Sequence, residues 1–223
     1  MTKAKSKAKS LSPSQIKKVL LRCSLMQNPE LKRLVLALSF STLRVSEVAQ
    51  ITIDDVLTPS GILKSEIHLR AALCKRRRPR SIWISNLTKQ ILQEWFDFRK
   101  AHHLATTFGD AYQGLNPASK VVLNSRGRSY SMKRKTRINQ EGQEVHYLAC
   151  DSLELMIRNI YHRVGLKGCS SHTGRRSYGT NMNAKGVELH LIQRALGHKE
   201  MSMSLEYIDI SGDQLFKAAE VAL

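Results

Sequence analysis

Apolar residues recur at helical spacing along most of this sequence, and only the stretch 62–85 trades that period for alternation. That contrast confines the fold to a mainly α architecture with a small antiparallel β-sheet, an α+β class. "SPSQIKKVLLRCSL" (12–25) opens the first helix. Ser12 is its expected N-cap, Pro13 suits the first helical position, and Gln15 completes a capping box. Ile16, Val19 and Leu20 follow at helical spacing. "PELKRLVLALSFST" reads as a buried helix interrupted near Ser41-Thr42, and "RVSEVAQI" resumes the period through Val45, Val48 and Ala49. "ILKSEIHLRAAL" and "RSIWIS" flank the basic turn "CKRRRP", so 62–85 is expected to form an antiparallel hairpin.

The second half is helical again. "LTKQILQEWFDFRKAHHL" is amphipathic, with Ile91, Leu92, Trp95, Phe96 and Phe98 as core candidates. Residues 105–120 read as loop. "MKRKTRINQEGQEVHY" is polar and basic at its start, and is expected to be a solvated insertion or a small hairpin turning near Glu141-Gly142. "DSLELMIRNIYHRVGL" is a helix with Asp151 as N-cap and Gly165 near its end. "GRRSYGTNMNAKG" and "ELHLIQRALGH" form two further helices separated by Gly186, and a last one covers about 212–221. No repeat or internal boundary is visible. Residues 1–11 are expected to be a flexible basic tail and 12–223 one domain.

Charge narrows the partner. Thirty-six Lys and Arg face 18 Asp and Glu, for a net charge of +18. An excess of that size implies a polyanion, and nucleic acid is the first candidate. A membrane is disfavoured, since the longest apolar stretch, "LVLALSF" (34–40), is too short to span one. Cys23, Cys74, Cys150 and Cys169 lie far apart with no CxxC pair, which disfavours zinc and disulfides and fits a reducing cytoplasm. Carboxylates are too few and too scattered for a two-metal nuclease, so no metal or cofactor is expected. No GxxxxGK[ST] loop is present.

What remains is phosphoryl transfer by a protein nucleophile among cationic donors. "STLRVSE" supplies Arg44, with Glu47 one turn later. "CKRRRPRSIWI" supplies Lys75 at the turn of the expected hairpin. "SHTGRRS" supplies His172 and Arg175, "LGH" supplies His198, and "LEYID" supplies Tyr207. Alone, Tyr207 would be read as a packing residue and Arg44 as a surface charge; together they read as one site. His198 lies 23 positions after Arg175, and Tyr207 lies nine after His198. This ordered set resembles the tyrosine recombinase (phage integrase) family, over about residues 12–215.

The resemblance implies a site-specific DNA recombinase that cleaves and rejoins strands through a covalent 3′-phosphotyrosyl link, with no ATP. It implies Tyr207 as nucleophile, and Arg44, Arg175 and His198 on the non-bridging phosphate oxygens. Lys75 would be the acid for the leaving 5′-oxygen, His172 the proton acceptor, and Glu47 the partner that fixes Arg44 or His172. A free tyrosine titrates near ~10, so it needs cations to act at neutral pH. Double-stranded DNA, a homo-tetramer on paired sites, and a nucleoid-associated cytoplasmic location are implied with it. The segment "DQLFKAAEVAL" is a candidate to dock on a neighbouring protomer.

Two departures stand out. Only a basic tail precedes the expected catalytic domain, where the family usually has a separate helical DNA clamp. Arg76, Arg77 and Arg78 crowd Lys75, where the family has small residues. Lys133, Arg134, Lys135 and Arg137, with Arg76, Arg77 and Arg78, are therefore the expected DNA-backbone contacts. The rival readings are a type IB topoisomerase-like strand transferase and a non-catalytic DNA-binding regulator on the same fold.

Overall fold

The computed structural model describes residues 7–74, 77–139, 142–210 and 212–221. The first helix, α1 (Pro13–Cys23), starts as its sequence requires. The Ser12 hydroxyl accepts from the Gln15 backbone, and the Gln15 side chain accepts from the Ser12 backbone. Helix α2 (Pro29–Phe40) is apolar on nearly every side, and such a helix has to be surrounded. Leu34, Val35, Leu36 and Leu38 are fully buried. Around it pack α1, α5 (Asn86–Ala101), α6 (Asp151–Arg163) and α7 (Thr173–Ala184).

Helix α2 ends in a strained corner. The Ser41 hydroxyl donates back to the Ala37 carbonyl at 2.9 Å, and Thr42 follows with φ at +72°. A β-branched residue rarely adopts that conformation. Two single-turn helices come next, α3 (Val45–Val48) and α4 (Ile53–Val56). The helix expected over "RVSEVAQI" is thus one turn long.

The hairpin expected over 62–85 is present but shorter. Strands β1 (Glu66–Leu69) and β2 (Arg80–Trp83) pair antiparallel, with Glu66 opposite Trp83 and Leu69 opposite Arg80. A second antiparallel pair joins β3 (Lys133–Ile138) to β4 (Glu144–Ala149), with Lys133 opposite Ala149. The expected insertion is therefore a hairpin, and the described residues hold two small sheets rather than one. Part of the expected turn, residues 140 and 141, lies outside the described residues, as do Lys75 and Arg76 in the first hairpin.

Helices α8 (Leu189–Leu196), α9 (Met201–Leu205) and α10 (Gly212–Val221) complete the chain. A second, smaller core forms where Ile192, Leu196 and Ile208 meet Tyr178, Met182 and Tyr207. No helix among the described residues is long and apolar enough to cross a membrane. The four cysteines are free thiols.

Two expectations are corrected. Asp151 is the first residue of α6 and Cys150 is its N-cap, because the Asp151 carboxylate is held by Lys135 at 2.5 Å rather than turned onto the helix end. The flexible tail does not extend to residue 11. Leu11 is 1% exposed, its backbone N–H donates to Ser177 Oγ at 2.8 Å, and Lys9 N donates to the Gly168 carbonyl at 2.9 Å.

Arg99, fully buried on α5, has no carboxylate partner among the described residues. Its guanidinium donates to the Leu104 and Lys120 carbonyls at 3.1 Å and to Ser119 Oγ at 2.9 Å, so it clamps the loop 104–120 to the core. Burial pushes its pKa down to about 10. Arg99→Met keeps the volume and strands those acceptors. It is expected to cost about 2 kcal/mol in urea unfolding.

Candidate active site

Thr42 is the pivot of the site. Its left-handed backbone turns the carbonyl toward two guanidinium groups. Arg80 Nη2 donates to it at 3.0 Å, and Arg175 Nη1 makes a very short bond to it. Arg44 is the N-cap of α3 one residue beyond Leu43. Its Nη1 meets Glu47 Oε1 at 2.8 Å, and its backbone N–H meets Glu47 Oε2 at 2.7 Å. Arg80 Nη2 reaches Glu47 Oε2 at 2.7 Å as well. Glu47 is fully buried, so one carboxylate holds two guanidinium groups in place.

Burial pushes the Glu47 carboxyl up. Arg80, Arg44, the Arg44 backbone N–H and Arg175 together outweigh that and hold it below the usual carboxylate range. Arg175 is 2% exposed. Burial, then Arg44 and Arg80, press its pKa below the usual arginine range, although a guanidinium remains charged at neutral pH. Two guanidinium groups thus bond one carboxylate, and a third, Arg175, acts on it through charge alone. Arg175 is buried, the Arg80 side chain nearly so, and the Arg44 side chain is 26% exposed. Buried charge of that excess is expensive unless an anion completes it.

Arg175 arrives on α7, and α7 comes this close to α2 through Gly174. A Cβ at Gly174 would lie 2.4 to 2.6 Å from Ser39 atoms. Arg175 Nη2 also donates to the Leu196 carbonyl at 2.6 Å and lies 3.1 Å from His198 Nε2. Arginine has no acceptor, so Nε2 accepts, and Nδ1 carries the proton toward Ser204 Oγ at 3.0 Å. Burial, then Arg175, Arg44 and Arg80, push His198 down to about 3. His198 is neutral at physiological pH, and it presents an acceptor to Arg175. To donate to a phosphate through Nε2 it must exchange tautomer and yield that contact. Between Leu196 and His198, Gly197 ends α8 at φ +62°, and a Cβ there would fall 2.3 Å from Arg80 Cδ. Space and backbone conformation both demand glycine.

The Tyr207 ring lies against this cluster. Its centroid is 4.7 Å from that of His198, and Arg175 Cζ is 5.7 Å from it. Helix α9 lies between His198 and Tyr207. The backbone on either side of Tyr207 is firmly held. Arg176 makes very short bonds to the Glu206 carbonyl and to Asp209 Oδ1, one on each side of Tyr207. Thr180 Oγ1 donates to the Tyr207 carbonyl at 3.3 Å, and Ser10 Oγ donates to Asp209 Oδ2 at 2.5 Å.

Of the expected residues, Arg44, Glu47, Arg175, His198 and Tyr207 therefore come together. His172 caps α7 at an exposed position, one turn ahead of Arg175. Lys75 lies outside the described residues, and so does Arg76; Arg77 and Arg78 are exposed. Lys133 and Lys135 approach Asp151 at 3.9 and 2.5 Å, and Arg137 lies over the Tyr147 ring at 5.9 Å. Sequence reasoning missed Arg80, Ser204 and Asp209. Arg80 had a signal: in "RSIWI" it is in phase with buried Ile82 and Ile84, and an inward arginine needs a buried partner.

The profile of the Phage integrase family matches residues 9–213. A "Tyrosine recombinase XerC" from Herpetosiphon aurantiacus is 26% identical over 180 residues, covering 81% of this chain and 48% of that protein. A "Tyrosine recombinase XerA" from Pyrococcus horikoshii is 26% identical over 218 residues, covering 98% and 62%. The chain thus spans between about half and three-fifths of the length of these relatives. In fold it is similar to the crystal structure of XerA recombinase, with TM-score 0.68, 16% identity, 98% of this chain and 66% of that one. It is also similar to XerH site-specific recombinase bound to palindromic difH substrate, with TM-score 0.64, 19% identity, and 98% and 54% coverage.

Proposed function

The chain belongs to the phage integrase family, and we propose that it is a site-specific DNA recombinase acting through a covalent phosphotyrosine. The observation that carries this reading is the pocket of Arg44, Arg80 and Arg175 around one carboxylate, with the Tyr207 ring against it. A DNA phosphodiester supplies the missing anion. The tyrosine oxygen attacks phosphorus, the bond to the 5′-oxygen breaks, and a 3′-phosphotyrosyl ester forms. The leaving oxygen takes a proton from Lys75, and His172 accepts the proton of the tyrosine. A 5′-hydroxyl from either strand reverses the steps, so one phosphoester is exchanged for another and no ATP is consumed. The guanidinium groups stabilise the charge that grows on the non-bridging oxygens.

The relatives carry "recombinase" in their names, and one solved relative is a complex with its DNA substrate, which supports double-stranded DNA as partner. Exposed Leu215 and Phe216 on α10, 62% and 67% accessible, support assembly with further copies, in our reading a tetramer on paired sites. We place the reaction on the nucleoid in the cytoplasm.

The test is a nicked suicide duplex drawn from the genetic neighbourhood of the chain, resolved in SDS. Wild type is expected to give an SDS-resistant adduct and Tyr207→Phe none. Equal yields from the two would sink the enzyme reading and leave a DNA-binding regulator. Adducts on every duplex tried, without preference, would point to a topoisomerase-like enzyme. The same assay reads Arg176. Removing the two bonds that flank Tyr207 by Arg176→Ala is expected to slow adduct formation by up to about 100-fold, as misplacing a reacting group does. A rate unchanged with the fold intact would show that those bonds do not place the tyrosine.

A further inference from the structure

We propose that the β3–β4 hairpin enters the DNA major groove and reads bases with Arg134, Thr136 and His146. The proposal deepens the recombinase reading and rests on it. Directly opposed residues of an antiparallel pair share a face. Arg134 with Leu148, Thr136 with His146, and Ile138 with Glu144 therefore form one face of the hairpin. The other face carries Lys133, Lys135, Arg137, Val145, Tyr147 and Ala149.

The two faces are used differently. On the second, Lys133 and Lys135 approach Asp151 at the start of α6, Arg137 lies over Tyr147, and Val145 and Ala149 are half-buried. That face is anchored to the domain. On the first, every residue is exposed, with Ile138 at 75% and Leu148 at 48%. The side chains of Arg134, Thr136 and His146 make no hydrogen bond or ion pair with any described residue.

Position and chemistry then select the occupant. Strand β4 packs beside α3, whose N-cap is Arg44, so the hairpin springs from the edge of the phosphate pocket. Four of the six residues of β3 are Lys or Arg, Arg134 on the open face and three behind it on the anchored one, so the strand as a whole carries the charge that draws a duplex. A two-stranded ribbon fits the major groove, about 12 Å wide, and six residues extend about 20 Å along it. The open face holds what base edges recognise. Arg134 suits the paired acceptors of guanine, Thr136 and His146 supply single polar contacts, and Leu148 and Ile138 suit thymine methyl groups. A face of this mixture is a poor phosphate binder and a good reader.

The experiment is selection from a randomised duplex pool by wild type and by the triple variant Arg134→Ala, Thr136→Ala, His146→Ala. Wild type is expected to enrich a motif. The triple variant is expected to lose preference at two or more of its positions and to bind the enriched duplex roughly 10- to 100-fold more weakly. Its affinity for a scrambled duplex is expected to fall only by the one phosphate-range charge removed. Arg134→Lys keeps that charge and the exposed surface, and is expected to blur one base position with the salt slope unchanged. An unaltered motif in both variants would overturn the proposal. So would a wild type that enriches nothing, or a triple variant that keeps the motif but changes oligomeric state, which would assign the face to a second copy of the chain. Adduct formation by Tyr207 is read separately. Failure of base reading with the adduct intact is thus distinct from failure of the recombinase reading.

Discussion

Arg175→Lys is expected to slow covalent adduct formation on the suicide duplex by roughly 10³-fold, the loss typical of removing a transition-state guanidinium. Arg175 joins three acceptors in the DNA-free protein, the Thr42 and Leu196 carbonyls and His198 Nε2, across both of its terminal nitrogens. A single ammonium cannot span that set, nor can it offer a phosphate two parallel bonds. Single-turnover rates at saturating protein measure the loss, with thermal melting as the control for folding. A variant that melts normally and reacts within 10-fold of wild type would remove Arg175 from the chemistry.

Glu47→Gln is expected to destabilise the protein by about 3 kcal/mol at pH 7, because it leaves Arg80 and Arg175 in the pocket with no carboxylate. Arg80 is 8% exposed and its Nε lacks a partner among the described residues, so it has no way to regain water without moving β2. The variant is nearly isosteric, and the loss belongs to charge rather than to volume. The sign with pH follows from the direction of the shift. The folded carboxyl titrates below its unfolded value of ~4.3. Its stabilisation is therefore complete above that value and disappears as pH falls through the lower folded one. The gap between wild type and Glu47→Gln in urea unfolding is expected to be constant from pH 7 to about 5 and to narrow below about 4. A gap that stayed constant into acid would mean that the carboxylate charge is not what the arginines require. Adduct formation is expected to fall with stability, since Arg44 loses the same partner.

Much of the architecture was legible because its signals are local. The capping box at Ser12 and Gln15, the all-round apolar α2 and the two glycine-punctuated helices α7 and α8 need only neighbours in sequence to declare themselves. The boundary errors share one cause. Asp151 looked like an N-cap, but an ion pair with Lys135, sixteen residues away, took its carboxylate. Residues 9–11 looked like tail, but α7 and Gly168 hold them from more than 150 residues away.

The site divides along the same line. By themselves the residues in order, Arg44, Lys75, His172, Arg175, His198 and Tyr207, determined the family and the candidate chemistry, because side-chain type and spacing are properties of the chain. Tertiary structure alone decided how they are held. It turned the Thr42 carbonyl between Arg80 and Arg175, drew Arg80 onto Glu47, set the His198 tautomer through Arg175 and Ser204, and fastened Tyr207 on both sides through Arg176. Except for the two bonds of His198, to Arg175 and to Ser204, each of these joins residues separated by 30 or more positions. A hydrogen bond forms where donors and acceptors meet in space, and periodicity in one chain carries no record of which distant carbonyl will face a given guanidinium.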